Sequence, residues 1–274
     1  MPTPIRVGDA TIISLIDTEE PGAAKDIYYQ VDPAFFEPYS DLISADGQLV
    51  TNYSCYLIQV DGKNILIDTA WGPSHNGTLM EELAATGVKP SDIDIVTFTH
   101  LHIDHYGWNL VEEAGGWKPR FPNARYVVNQ IDWDYFYTNF PKEERAEEAE
   151  AFAVTCEPLK DLGVMDLFTG SHVFSESVTG EHTPGHTPGH MSFVVSSAGE
   201  KCYILGDVAI SPVDATESNW KTVYDEDQDV AVKTRYRVLD QLQAEGTLVA
   251  ANHFPKPGYG RFVGVDGKRI WKPV

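Results

Sequence analysis

Positive charge is scarce in this sequence. Lysine and arginine together number 20 against 41 aspartates and glutamates, a formal net charge of −21. A surface that acidic repels phosphate backbones and anionic lipids, so neither nucleic acid nor a membrane is an expected partner. A neutral or cationic small molecule fits better. Cysteine is scarcer still, with only Cys55, Cys156 and Cys202. Their number is odd, and their spacing matches neither a zinc knuckle nor a redox pair. No disulfide framework is expected, which fits a reducing compartment and points to the cytoplasm. Long apolar runs are missing as well. The opening "MPTPIRVGDATIISLID" has no extended hydrophobic stretch behind a basic region, which predicts neither a signal peptide nor a membrane span. There is no G-x-S-x-G motif and no Cys–His pairing, so no nucleophilic side chain is expected to carry the chemistry. No low-complexity linker or shift in composition divides the chain, and residues 1–274 are read as one domain.

What the sequence does have is apolar and aromatic mass. Hydrophobic residues make up 42%, with 12 Phe, 13 Tyr and 6 Trp, enough for a large core. Ala10–Asp17 reads as a strand. Ser54–Thr69 holds two alternating runs around Asp61-Gly62, a hairpin signal. Strands are also expected over Ile93–His100, Ala124–Gln130, Met191–Ser197, Lys201–Asp207 and Thr247–His253, with a last hairpin at Val265–Ile270. Helical spacing appears over Gly77–Gly87, over Ile131–Val154 with a break at Pro141, and over Gln228–Gly246 with a glycine stop. The aromatic, proline-rich Asp26–Ser40 reads either as a loop over a pocket or as a cover for the core. Helices and hairpins alternate loosely, which argues for mixed sheets covered by helices rather than a doubly wound parallel sheet.

The stretch "TFTHLHIDHYGWN" (Thr97–Asn109) places His100, His102, Asp104 and His105 straight after an apolar strand. Residues two apart at a strand end point the same way. The following turn can aim the second pair at a neighbouring point. Imidazole and carboxylate suit zinc and similar divalent ions. Three further residues stand at the mouths of apolar strands: His186 in "TPGHTPG", Asp207 in "YILGD" and His253 in "LVAANH". Seven ligands exceed one tetrahedral zinc and suit two ions sharing a carboxylate. His253 has strand capping as its alternative. His75 and His172 sit in polar surroundings and read as surface. His182 and His190 flank the ligand loop, and His190 is expected to hydrogen-bond beside the site. Trp71, Trp108 and Asn109 are candidate substrate contacts, and these two tryptophans and Trp133 suit core packing equally.

H-x-H-x-D-H, the distant TPGHTPGH, a strand-ending Gly-Asp and a late histidine together resemble the metallo-β-lactamase fold superfamily, from about Tyr53 to His253. Asn64–Ala70 resembles that family's early strand motif, with Ala70 where the family usually has glycine. The resemblance implies an α+β fold, a four-layer αββα sandwich of two mixed sheets flanked by helices. It implies His100, His102 and His186 on one metal, Asp104, His105 and His253 on the second, and Asp207 bridging them. Asp68 would accept a hydrogen bond from a ligand imidazole. Two such cations lower the pKa of a shared water to about 7, so that a bridging hydroxide attacks while the metals polarise the substrate. Asp104 is then placed to relay a proton. Zinc is the default metal, with manganese, iron and cobalt as alternatives.

For the substrate, "HTPGHTPGHMSF" resembles the lactonase and phosphotriesterase branch. Acyl-homoserine lactonases carry a tyrosine three residues after the bridging aspartate, where this chain has Ile210. The tail from Asp227 to Phe262 is more similar to the methyl parathion hydrolase-type group. The expected activity is hydrolysis of a neutral, fairly apolar lactone or ester, with organophosphate triester turnover beside it. The alternatives are a glyoxalase II-like thioesterase, whose basic patch would have to come from Lys256, Arg261, Lys268, Arg269 and Lys272, and a non-catalytic metal-stabilised binding protein. A homodimer is compatible with the sequence.

Overall fold

The computed structural model describes residues 2–274. β1 (Thr3–Val7), β2 (Ala10–Ala23), β3 (Gln48–Val60) and β4 (Lys63–Ile67) form an antiparallel meander, and β5 (Ile95–Thr97) continues it in parallel. β6 (Leu110–Glu113) and β7 (Gly116–Pro119) make a separate small hairpin. β8 (Arg125–Asn129) and β9 (Met165–Phe168) add two parallel strands and complete a seven-stranded mixed sheet. The second sheet also has seven strands: β10 (His172–Val173), β11 (Val178–His182), β12 (Met191–Ser197), β13 (Glu200–Ile204), β14 (Leu248–Ala250), β15 (Tyr259–Val265) and β16 (Lys268–Pro273). It is antiparallel except where β13 meets β14.

The period-two alternation of β3 explains the layering. Cys55 and Leu57 point into a core shared with helix Leu79–Ala85 and helix Ala146–Thr155. Tyr56, Ile58 and Val60 point the other way, against Phe193, Val195 and Ile204 of the second sheet. A third core lies beneath helix Gln228–Glu245, where Leu239 and Leu242 meet Phe254 and Phe262. Three cores stacked in this way separate four layers, the αββα sandwich. The Asp61-Gly62 turn closes the β3–β4 hairpin with both residues in the left-handed region, φ 53° and 71°, as a two-residue hairpin turn requires. Helix Gln228–Glu245 starts with the Asp227 carboxylate accepting from Val230 N and stops at Gly246, φ 63°.

The helical run after Ile131 breaks near Pro141 as expected, but its first part is a short helix, Gln130–Asp134, followed by a π-turn, Tyr135–Asn139. Two expected strands are shorter than their apolar runs. β5 ends at Thr97 rather than His100, and β14 ends at Ala250 rather than His253, because in each the chain leaves the sheet to aim side chains inward. Asp26–Ser40 is mostly a cover: Tyr28 and Phe36 pack with Trp220, Ile210 and Val213, and Ile27 alone of this segment reaches the cavity described below. His172 is packed between Phe168 and Phe174 rather than standing free on the surface. Among the described residues no helix is long and apolar enough to cross a membrane.

Candidate metal centre

The polar residues of interest sit where strands end, at one edge of the sandwich. Asp68 follows β4 in the left-handed region, φ 63°. Its carboxylate accepts from Thr99 N at 2.7 Å and Thr99 Oγ1 at 2.9 Å, tying the end of β4 to the turn after β5. That turn carries His100, His102, Asp104 and His105, the last two in a 3-10 turn. His186 comes from the loop between β11 and β12, Asp207 from the turn after β13, and His253 from the turn after β14.

These side chains converge. His100, His102 and His186 offer nitrogens within 4.8 Å of one another; so do His100, His105 and Asp207, and so do Asp104, His105 and His253. Asp207 touches all the groups: its Oδ2 lies 3.3 Å from His186 Nε2 and 3.0 Å from His253 Nε2, and its Oδ1 lies 3.7 Å from His105 Nε2. Asp104 Oδ2 lies 3.3 Å from His105 Nε2 and 3.5 Å from His253 Nε2. All are buried except Asp104, whose side chain keeps 16% exposure. Three buried atoms at the centre, His100 Nε2, His105 Nε2 and Asp207 Oδ1, have no hydrogen-bond partner. Such groups are costly to bury unpaired. A nitrogen and oxygen donor set with these orphaned atoms fits divalent metal ions.

The outer nitrogens are all held. Asp68 Oδ2 accepts from His105 Nδ1 at 3.0 Å, Asp225 Oδ1 from His186 Nδ1 at 3.0 Å, and the Asn52 carbonyl from His253 Nδ1 at 2.8 Å. Glu226 Oε1 accepts from His102 Nε2 at 3.2 Å. Asp68 and Asn252 are also linked, with Asn252 Nδ2 donating to Asp68 Oδ2 at 3.0 Å. Burial and the neighbouring imidazoles push His100 well below the ordinary histidine range. Burial also works against a charged His105, yet the carboxylates of Asp104, Asp68 and Asp207 together raise it well above that range. Burial would raise Asp207, but His253, His105 and His186 hold it well below the usual carboxylate range. The same contest at Glu226 is won by hydrogen bonds from His102, Tyr135 and Arg145, which hold it at about 2. His190 does not point a free nitrogen at the centre: its Nε2 accepts from Asp207 N at 2.9 Å.

The cluster forms the floor of a cavity of about 670 Å³. Ile27, Ile103, Ile210 and Val223 line it with Tyr53, Trp71 and Tyr224. Tyr53 stands edge-on to His253 and Trp71, with centroids at 5.1 and 5.5 Å. Glu20, Glu147 and Glu148 make the wall acidic. Among the described residues lining the cavity, Arg145 is the only one with a permanent positive charge, and Glu148 and Glu226 occupy it.

Of the expected substrate contacts, Trp71 lines the cavity, whereas Trp108 and Asn109 do not. Trp108 is buried under Arg120 and donates from Nε1 to Asp17 Oδ1 at 2.8 Å. Asn109 is fully buried, with Oδ1 accepting from Thr69 Oγ1 at 3.0 Å. The turn at His105 swings both inward, towards the outer core. His75, expected on the surface, instead lines the cavity and stacks on Trp71 at 4.1 Å. Sequence reasoning missed Asp225, Glu226 and Arg145. No periodicity or motif marks them, and in so acidic a chain two more acids are unremarked.

This layered fold, with a histidine- and aspartate-rich centre at its strand ends, is shared by one family of proteins. The chain belongs to the metallo-beta-lactamase superfamily, whose family description matches residues 50–248. It is similar to N-acyl homoserine lactonase AttM of Agrobacterium fabrum, 36% identical over 59 residues, 22% of this chain and 19% of that protein. It is also similar to mouse metallo-beta-lactamase domain-containing protein 1, 51% identical over 43 residues, 16% of each. The matched stretches therefore span about a fifth or less of these relatives' length. Among solved structures, a hydrolase AbOPH of the beta-lactamase superfamily superposes with TM-score 0.87 at 26% identity, covering 100% of this chain and 97% of that one. AidC, a dizinc quorum-quenching lactonase solved with its product N-hexanoyl-L-homoserine, superposes with TM-score 0.86 at 22% identity over the same shares, a likeness of fold.

Proposed function

We propose that residues 1–274 act as one domain, a dinuclear metal-dependent hydrolase that opens a neutral, fairly apolar lactone or ester. The observation that carries this reading is the convergence of seven donor residues. Of their atoms, His100 Nε2, His105 Nε2 and Asp207 Oδ1 are buried without partners, and His102, Asp104, His186, Asp207 and His253 line the floor of a cavity with an apolar patch. His100, His102 and His186 would hold one ion, and Asp104, His105 and His253 the other. Asp207 reaches both groups and would bridge them. When bound, two divalent ions supply an activated water and an electrophile at neutral pH, with zinc the default choice. Asp68 holds His105 by its Nδ1, fixing which nitrogen faces inward. Asp104 is the one ligand with an exposed face, so its carboxylate would take the proton that the attacking water loses as it adds to the carbonyl and would pass it to the leaving alkoxide. Ile27, Ile103, Ile210 and Val223 exclude water and seat the acyl or alkyl part.

Substrate charge follows from the walls. Arg145 is taken by two carboxylates, and Glu20 and Glu147 add negative charge, so apart from the metal ions themselves the cavity wall offers an anionic ligand no free cation. Lys256, Arg261, Lys268, Arg269 and Lys272 do not line the cavity, and Lys256 and Arg269 are paired with Glu19 and Asp240. That leaves no basic patch for glutathione at the site. The curated lactonase relatives and the AidC likeness favour lactones. The AbOPH likeness keeps phosphotriesters in view. The three buried free cysteines are in keeping with a reducing compartment. The test is a panel of acyl-homoserine lactones, aliphatic γ-lactones, aryl esters, a dialkyl aryl phosphate and acyl-glutathione, each with and without chelator. Chelator-sensitive lactone or ester hydrolysis supports the reading. Exclusive thioester turnover, or no turnover by the metal-loaded protein, overturns it.

A further inference from the structure

Asp225 and Glu226 are consecutive, and each holds one imidazole of the same triplet. Asp225 Oδ1 accepts from His186 Nδ1 at 3.0 Å, and Glu226 Oε1 accepts from His102 Nε2 at 3.2 Å. An ionised carboxylate only accepts, so each neutral ring carries its proton on the nitrogen facing the acid. The opposite nitrogens, His102 Nδ1 and His186 Nε2, are then two lone pairs 2.9 Å apart. Lone pairs that close repel, and a shared cation turns the repulsion into coordination. Thr99 Oγ1 donates to Asp68 Oδ2, so it accepts from His100 Nδ1 at 3.0 Å and leaves His100 Nε2 facing the same point.

We propose that Asp225 and Glu226 are the positioning pair of one metal position, that of His100, His102 and His186, and that Arg145 ties Glu226 to the cavity wall. The inference rests on the two-metal reading above. Each acid is anchored separately. Buried Arg235 donates from Nη2 to Asp225 Oδ2 at 3.2 Å and is itself fixed by the carbonyls of Val208 and Trp220 at 2.8 and 2.6 Å. Glu226 receives Arg145 Nη1 and, at 2.7 Å, the Tyr135 hydroxyl. The other position has its own supports, Asp68 on His105 and the Asn52 carbonyl on His253. Each position therefore has outer partners of its own, Asp225 and Glu226 on one side and the Asn52 carbonyl on the other, while Asp68 holds His105 directly and reaches His100 only through Thr99 Oγ1.

The test titrates zinc into metal-free protein against a chromophoric chelator and reads two stepwise affinities. Glu226→Gln keeps the shape but gives up the charge. It should weaken one equivalent by about 10–100-fold and leave the other within about threefold of wild type. Asp68 holds His105 directly and His100 only through Thr99, so Asp68→Asn should weaken chiefly the other equivalent, and the double variant weakens both. Arg145→Met touches no imidazole and should weaken the same equivalent as Glu226→Gln, by less; it serves as the test if Glu226→Gln does not fold. Wild-type affinities for both equivalents in Glu226→Gln and Arg145→Met overturn the proposal. So does a loss at the equivalent that Asp68→Asn chiefly weakens. A wild-type protein that takes up no second equivalent instead overturns the two-metal reading itself.

Discussion

His190 is held neutral from both sides. Its Nε2 accepts from Asp207 N, so its proton is on Nδ1, which donates to Thr183 Oγ1 at 2.8 Å. Burial first, and the nearby His186 imidazole second, depress it to about 3. An unfolded histidine titrates near 6.5. Below that pH the unfolded chain takes up a proton that the folded chain refuses, so stability falls as pH drops. For this one group the loss between pH 6.5 and 5 is roughly 1.5–2 kcal/mol. Denaturant unfolding of the metal-free protein across that range should show it, and His190→Gln should flatten the slope by that amount. An unchanged slope in the variant would mean His190 is not held neutral. At this scale the ligand types were readable, because each stands in a tight motif or ends an apolar strand. The residues that orient them were not, since Asp225 and Glu226 arrive from an irregular loop and acquire meaning only through contacts 39 and 124 positions away.

Segments rather than residues bring the centre together, and their close approaches are backbone on backbone. Gly107 N donates to the Ala70 carbonyl at 2.6 Å, and a Cβ at Gly107 would lie 1.9 Å from the Trp71 carbonyl oxygen. The two loops that frame the cavity floor meet only because that Cβ is missing. Gly107→Ala should therefore cost on the order of 2–4 kcal/mol and, by moving Trp71, lower lactone turnover as well. Thermal unfolding and turnover within error of wild type would show that the loops can part freely. Apolar runs located nearly every long strand and the three longer helices. They overstated β5 and β14 because the residues beyond Thr97 and Ala250 look strand-like yet leave the sheet. They missed β1, β6, β7, β9 and β10, which are short and bury little, and also β11 and most of β15. Trp108 and Asn109 were misplaced for a related reason: sequence nearness to the ligands does not say which way a 3-10 turn rotates the chain that follows it.

The whole molecule is a sandwich whose two sheets each deliver part of one centre. The first sheet supplies Asp68, His100, His102, Asp104 and His105; the second supplies His186, Asp207 and His253. Neither sheet holds a complete set, so the centre exists only once the inter-sheet core has closed. The mixed layering was readable from the loose alternation of helices and hairpins, whereas the pairing of β13 with β14 in parallel, which sets Asp207 beside His253, depends on helix Gln228–Glu245 crossing between them. The net charge of −21 and the occupied Arg145 act at this scale too, and both work against anionic ligands away from the metal ligands. The most direct measurement is the rate of γ-lactone opening by metal-free protein as zinc is added stepwise. The two-metal centre predicts little activity up to one equivalent per chain and a rise to full rate only with the second. Full rate at one equivalent, or without metal, would contradict it.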